Sequence, residues 1–299
     1  MDGNERKQKR SFGTHDGTFH ADEVTACALL VLFNLVDRDK INRSRDPAVL
    51  SRCEFVCDVG GHYNPAEKQF DHHQADYHGH LSSAGMVLKY LNECGLLPSP
   101  EFEWLNDTLI RGIDAHDNGR DPLIPGFTTF SNVISNFTPI GHDCTPAEQT
   151  AAFRQALDFT IQYLTRLRQR YAYTRSCREI VKASMDKNEP YLLFDENIPW
   201  IEMFFELGGA NHPAQFVIMP ADQHWKLRGI PPSMRERMKV RIPLPQEWAG
   251  LINDELKRTS GIEGAIFCHR GRFISVWETK EDAFKALAFT FNQAKEQSS

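Results

Sequence analysis

Between His15 and Asp117 the chain carries four clusters of carboxylate and imidazole side chains. They are His15 with His20 and Asp22; Asp58, alone after an apolar run and just before Gly60-Gly61; Asp71-His72-His73; and Asp114 with Asp117. Carboxylate oxygen and imidazole nitrogen are donors that first-row divalent metals accept, and a set without thiolate suits Mn²⁺ or Mg²⁺ better than structural zinc. The clusters supply enough ligands for two ions, with Asp58 as the natural bridge. Two ions about 3.5–4 Å apart clamp the attacking and leaving oxygens of a phosphoryl displacement. Adjacent histidines on a strand point to opposite faces. His72 and His73 therefore take different roles, one as ligand and one facing substrate, unless the chain turns after Asp71. Asp114 and Asp117 share a face if they are helical, and only one of them need bind metal. His62, His78, His80, His142, His212 and His224 read as loop or ordinary polar positions, and His269 is open between substrate contact and strand-end packing.

The surrounding pattern must bring these groups together. Residues 11–15 read as a strand, Asp16-Gly17 as a turn, and 24–33 as a buried helix. Further strands are expected over 54–59 and 69–72. Helices are expected around 86–91, stopping at Gly95, and from Ser99 through a stripe of Phe102, Leu105, Leu109, Ile110 and Ile113 that runs into Asp114. Strand, polar loop, buried helix is the grammar of an α/β domain with ligands at the carboxyl ends of its strands. That domain is placed at 1–145. Thr145-Pro146-Ala147-Glu148 is a capping box with proline at the first helical position. It opens a long connecting helix over 146–186. From 187 to 299 shorter strands over 191–194, 214–219 and 264–268 and a final helix over 281–295 predict a smaller α/β or α+β domain.

A chain of 299 residues is long enough for two domains. It contains no apolar run of about 18 residues, which argues against a spanning helix. Its seven cysteines are scattered without a Cys-x-x-Cys pair, as expected for free thiols in a reducing compartment. The first ten residues are polar, with Arg6, Lys7, Lys9 and Arg10, and lack the apolar core of a secretory signal. The expectation is a cytoplasmic protein without a membrane, with an organelle or nuclear address and a homodimer left open. A net charge of −6 gives no global attraction to nucleic acid, so a polyanion must be held by metal or by local basic patches. The densest such stretch of the second domain runs from Lys226 through Arg228 to Arg241.

The order His15, His20-Ala21-Asp22, Asp58, Asp71-His72-His73 and Asp117 resembles the four-motif signature of the DHH phosphoesterase superfamily. Its first motif is usually Asp-x-Asp, where this chain has His20-Ala21-Asp22. That variant, together with Phe70-Asp71-His72-His73-Gln74, Ser82-Ser83-Ala84-Gly85 and Ile113-Asp114-Ala115-His116-Asp117-Asn118-Gly119, is similar to the melanocyte-proliferating-gene (Myg) family of metal-dependent hydrolases. The resemblance continues through Arg241-Ile242-Pro243, Trp248-Ala249-Gly250 and Phe267-Cys268-His269. It implies a DHH-type parallel-sheet domain with His15, His20, Asp22, Asp58, His72 and Asp117 as metal ligands. His73 would then act with Asp58 at the scissile phosphate, Asp71 would orient a histidine, and Asp114 would be the fallback for Asp117. After the final histidine the family reads roughly Ser-Gly-Phe-Ile-Gly-Gly, whereas this chain has Arg270-Gly271-Arg272-Phe273-Ile274-Ser275. The glycine pair is gone, and Arg270 and Arg272, with Arg228 and His269, become the candidates for holding phosphate.

The activity this implies is a 3′–5′ exonuclease acting on RNA or short oligonucleotides by two-metal hydrolysis, with Mn²⁺ favoured and Mg²⁺ the alternative. Two other readings remain. One is a small-molecule phosphohydrolase of the pyrophosphatase or cyclic-dinucleotide type. The other is a non-catalytic metal-binding interaction protein.

Overall fold

The computed structural model describes residues 7–296, so Arg6 of the basic N-terminal stretch lies outside the described residues. The chain divides into two compact units, residues 1–169 and 170–299.

The first unit is built on strands β1 (Gln8–Thr14), β2 (Ile41–Arg43), β3 (Cys53–Cys57), β4 (Tyr63–Asn64) and β5 (Gln69–Phe70). They lie in the order β2-β1-β3-β5-β4. β1 pairs in parallel with β2 and β3, β3 pairs in parallel with β5, and β4 is an antiparallel edge. Register matters here. Phe12 lies opposite Phe55, and Cys57 opposite Phe70. Because β1, β3 and β5 run the same way, the residues that follow them, His15, Asp58 and Asp71, emerge at one sheet edge. Phe12, Phe55 and Phe70 are buried, and each such ring contributes about 1.5–3 kcal/mol by leaving water.

The helices of this unit are α1 (Ala21–Leu32), α2 (Pro47–Leu50), α3 (Ser83–Glu93), α4 (Ser99–Leu105), α5 (Arg111–Asp117), α6 (Phe130–Ser135) and α7 (Pro146–Ser176). α1 is buried almost all round from Ala21 to Leu30: after the first turn, with its buried Asp22 and Glu23, it is mostly Ala, Val, Cys and Leu. It packs against α3, α5 and α6. A wide π turn, Asn106–Ile110, joins α4 to α5 without breaking the helical path, and Leu105, Ile110 and Ile113 are buried along it. The stripe thus delivers Asp117 beside the start of α1. The Thr145–Glu148 box forms: the Thr145 backbone N–H donates to the Glu148 carboxylate at 2.7 Å, and the Glu148 N–H donates to Thr145 Oγ1 at 3.2 Å.

The single helix expected over 146–186 is interrupted. α7 ends at Ser176, and α8 (Arg178–Met185) begins after Cys177. The break turns Cys177 and Val181 into the core of the second unit. There, β6 (Tyr191–Leu193), β7 (Phe216–Ala221), β8 (His224–Gly229), β9 (Ala265–Cys268) and β10 (Ile274–Trp277) form one sheet in the order β6-β7-β8-β10-β9. Only β6 and β7 are parallel. Helices α9 (Ile201–Glu206), α10 (Asn253–Ser260) and α11 (Lys280–Glu296) complete the unit. Trp248, Trp277 and Phe216 anchor one of its cores. Among the described residues no helix is long and apolar enough to cross a membrane.

Candidate metal centre

β1 ends at Thr14, and its parallel partner β3 ends at Cys57, so His15 and Asp58 face each other across the sheet edge. His15 Nε2 lies 3.2 Å from Asp58 Oδ2 and 3.2 Å from Glu23 Oε1. Asp58 adopts φ 57°, a left-handed conformation that Asp and Asn tolerate better than other side chains. Gly60 at φ 99° and Gly61 at φ 70° carry the chain away. His20 sits at the N-cap of α1 with extended backbone. Its N–H donates to both oxygens of Glu23, at 2.9 and 3.0 Å. Glu23 is not among the ligands expected from sequence, although a signal for it exists. An acid three residues after a helix start folds back onto it, and here its Oε1, which accepts from His20 N–H, also lies 3.2 Å from His15 Nε2.

The strand that carries the histidine pair is shorter than expected. β5 stops at Phe70, so Asp71, His72 and His73 lie in a turn. The two rings are not on opposite faces; their centroids are 4.3 Å apart. Both approach Asp58, with His72 Nε2 and His73 Nδ1 each 3.4 Å from Asp58 Oδ1. His72 Nε2 also lies 2.9 Å from Asp117 Oδ2. The two still differ in exposure: the His72 side chain is 7% exposed and that of His73 64%. Asp71 is buried and fixes the turn. Its Oδ2 accepts from Gly61 N–H at 2.6 Å, and its Oδ1 meets His73 Nδ1 at 2.8 Å.

Three overlapping groups result: His15, His20, Glu23 and Asp58; Asp58, His72 and His73; and His20, Asp22 and Asp117. The donor atoms of each lie within 4.8 Å of one another. Asp58 belongs to two groups, and so does His20. Asp114 is elsewhere. Its Oδ1 accepts from Ser82 N–H at 3.0 Å, Ser82 Oγ at 2.7 Å and Gly85 N–H at 3.1 Å, which ties α5 to the start of α3. A Cβ on Gly85 would stand 2.3 Å from Asp114 Oδ2. Gly85→Ala is therefore expected to lower stability by about 1–3 kcal/mol, measured by urea unfolding. An unchanged midpoint would show that α3 and α5 are not held at this distance.

The electrostatics fit a cation. Asp22 is fully buried, yet among the described residues neither of its oxygens accepts a hydrogen bond, and Asp58 Oδ1 and His72 Nε2 are buried with only each other, His73 and Asp117 nearby. Such groups cost free energy unless something compensates them. Burial, then Asp58, Glu23 and Asp117, push the Asp22 carboxyl well above its ordinary value. Burial opposes charge on His15, but Asp58 and Glu23 outweigh it and raise that imidazole to about 10. Burial opposes charge on His72 too, but Asp117 and Asp58 raise it to about 10. Burial would lift Asp58, but His15 and His72 hold it at about 2. The metal-free site thus keeps protons on His15 and His72 at neutral pH, and burial with like charge around it favours the protonated form of Asp22.

Ligation needs neutral imidazole and ionised carboxylate, so all three shifts act in one direction. Mn²⁺ binding is expected to release protons and to tighten from about pH 6 to about pH 8. Asp58, already ionised, contributes none of them. Calorimetric titration in two buffers of different ionisation enthalpy reads the number released, and a buffer-independent heat would contradict this proton inventory.

A family model, MYG1_exonuc, described as an uncharacterised protein family (UPF0160), matches residues 11–289. The chain belongs to this family. A MYG1 protein of Chlamydia muridarum is 53% identical over 284 residues, covering 95% of this chain and 97% of that protein. The human MYG1 exonuclease is 30% identical over 324 residues, covering 94% of this chain and 85% of that protein. Among solved structures, RecJ of Thermus thermophilus in complex with Mn²⁺ is 14% identical and covers 95% of this chain and 52% of that chain, with a TM-score of 0.30. That likeness is too loose to carry a structural inference.

In this MYG1 family member the remaining candidates fall in the second unit. Arg228 is half-buried on β8, opposite Ile274. His269, Arg270 and Arg272 form the turn between β9 and β10: Arg272 N–H donates to His269 O at 2.8 Å, and His269 N–H to Ile274 O at 2.9 Å. Arg272 takes φ 57° there, a conformation glycine would adopt without cost. Its guanidinium donates to Leu244 O at 3.3 Å, while Arg270 is exposed.

Proposed function

We propose that the chain is a metal-dependent phosphodiesterase that trims RNA or short oligonucleotides from the 3′ end. The observation that carries this reading is the buried, unpartnered Asp22 carboxylate set among three overlapping His/carboxylate groups. The exonuclease name of its human relative supports it. His15, His20, Asp22, Asp58, His72 and Asp117 would hold two divalent ions, Mn²⁺ or Mg²⁺, with Asp58 shared between them. When bound, such ions neutralise the charge that develops on the phosphoryl and leaving oxygens.

The chain's own side chains do the rest. His73 is the exposed member of the set, and Asp71 holds its Nδ1. With Nδ1–H donated to Asp71, Nε2 is the atom that exchanges a proton or hydrogen bond with a phosphoryl oxygen. Glu23 holds the His20 backbone and faces His15, keeping two ligands in place without relying on the metal. Arg228, Arg270 and Arg272, with His269, grip the phosphates of the remaining strand.

The test is an activity screen of the purified full-length chain with Mn²⁺ or Mg²⁺ on end-labelled single-stranded RNA, single-stranded DNA and pyrophosphate. Stepwise shortening of RNA is the expected result. Phosphate release from pyrophosphate without trimming would replace the nuclease reading by a small-molecule one. Tight metal binding with no phosphoester cleaved would make this a binding protein.

A further inference from the structure

The cavity at the metal centre has a volume of about 710 Å³ and is lined by His15, His20, Asp58, Asp71 and His73 among others. A second cavity of about 290 Å³ adjoins it, and the two share Arg45, Val59 and Gly60. The second cavity differs in chemistry. Pro47, Leu50, Val56 and Val59 give it apolar walls. Leu50, Cys53 and Val56 form a small buried cluster against which Val59 packs, so those walls are fixed by the fold. Gln69, on β5, brings one amide to the lining.

Arg45 stands where the two cavities meet. Its Nε is 3.4 Å from Asp16 Oδ1, and its side chain is 67% exposed. This is a loose surface pair that a better anion displaces. Ligand pockets span about 300–1,000 Å³, so the smaller cavity suits one flat group and not an oligomer. Apolar walls, the Gln69 amide, the His62 imidazole and the cations Lys7 and Arg45, beside a site for phosphate chemistry, match the parts of a single nucleotide.

We infer that this cavity seats the base of the terminal nucleotide, and that Arg45 holds the phosphate that joins it to the metal cavity. The inference rests on the nuclease reading and names the part of the substrate that lies on the first unit. Gly60 and Gly61 let the backbone between the cavities run close to the sugar, since no side chain stands there. The arrangement would make removal of one nucleotide at a time a matter of fit: a recess of about 290 Å³ takes one base at the end of a strand.

The experiment compares uridine 5′-monophosphate with ribose 5-phosphate, which lacks the base, by calorimetry on the full chain loaded with Mn²⁺. Wild-type protein is expected to favour the nucleotide by about tenfold or more. Leu50→Trp fills the recess and is expected to erase that preference. Ser51→Trp does so from an exposed position on the rim, where folding is not at stake. Arg45→Gln weakens both ligands alike and leaves their ratio unchanged. Equal binding of the two ligands to wild type, or a preference that survives Ser51→Trp, overturns the inference. A preference that stands while no oligonucleotide is cleaved supports the recess and rejects the nuclease reading, so the two failures are distinguishable.

Discussion

Replacing Asp58 by asparagine is expected to lower metal-dependent phosphodiester hydrolysis by about a thousandfold or more, the scale of losing several kcal/mol of charge stabilisation. Asparagine is the informative substitute. Asp58 sits at φ 57°, which asparagine accepts, whereas alanine adds about 1–2 kcal/mol of backbone strain. Asp58→Ala should therefore lose activity equally and stability more. The carboxylate also faces His15 at 3.2 Å and both His72 and His73 at 3.4 Å. Its pKa is depressed to about 2 in the fold, so its stabilising contribution is present above the ordinary carboxylate range and is lost as pH falls toward that value. Asp58→Asn is thus less stable than wild type at neutral pH even without metal. Steady-state turnover with added Mn²⁺, read beside metal content, decides the matter. Wild-type rates in the asparagine variant would remove Asp58 from the reaction.

Asp22→Asn is expected to move stability the other way. The carboxylate is fully buried with both oxygens unpartnered, and Asp58, Glu23 and Asp117 crowd it with like charge. Its raised pKa means that the unfolded chain loses this proton more readily, so above the ordinary carboxylate range the group destabilises the metal-free fold. Replacing this ionisable group by a neutral amide relieves about 1–3 kcal/mol above the ordinary carboxylate range, and melting rises by about 2–4 °C per kcal/mol for a unit of this size. The rise in melting temperature that Mn²⁺ gives wild-type protein should shrink in the same variant, because a ligand is gone. Differential scanning calorimetry with Mn²⁺ and with chelator reads both effects. A metal-free variant that melts below wild type would mean that Asp22 has a compensating partner in solution.

The legible part of the site is the part written in local sequence. His15, Asp58 and Asp71 each lie at or near the end of an expected strand, and a parallel sheet brings such positions to one edge regardless of the loops between them. The stripe ending at Ile113 carries Asp117 to the same place. What sequence does not reveal is where the strand stops. Two residues fewer in β5 turn an alternating His72/His73 pair into two rings beside one carboxylate, and no periodicity over a stretch so short marks that end. Asp114 is indistinguishable from Asp117 by spacing; its three donors come from Ser82 and Gly85, some thirty residues earlier in the chain. In the second unit β8 and β10 are hidden because Lys226 and Arg228 alternate with Trp225 and Leu227, and Arg272 precedes Ile274, so charge masks the strands. The break at Cys177 has no proline or glycine to announce it.

Every residue that enters the three His/carboxylate groups lies between His15 and Asp117, inside the first unit alone. If these groups hold the ions, their retention is expected to depend on the first unit. Inherited or engineered lesions beyond residue 170 should yield protein that still carries its full complement of metal while failing on long substrates, and lesions before residue 118 should yield protein that has lost both. Elemental analysis of an inactive variant would then assign its defect to one half of the polypeptide or the other.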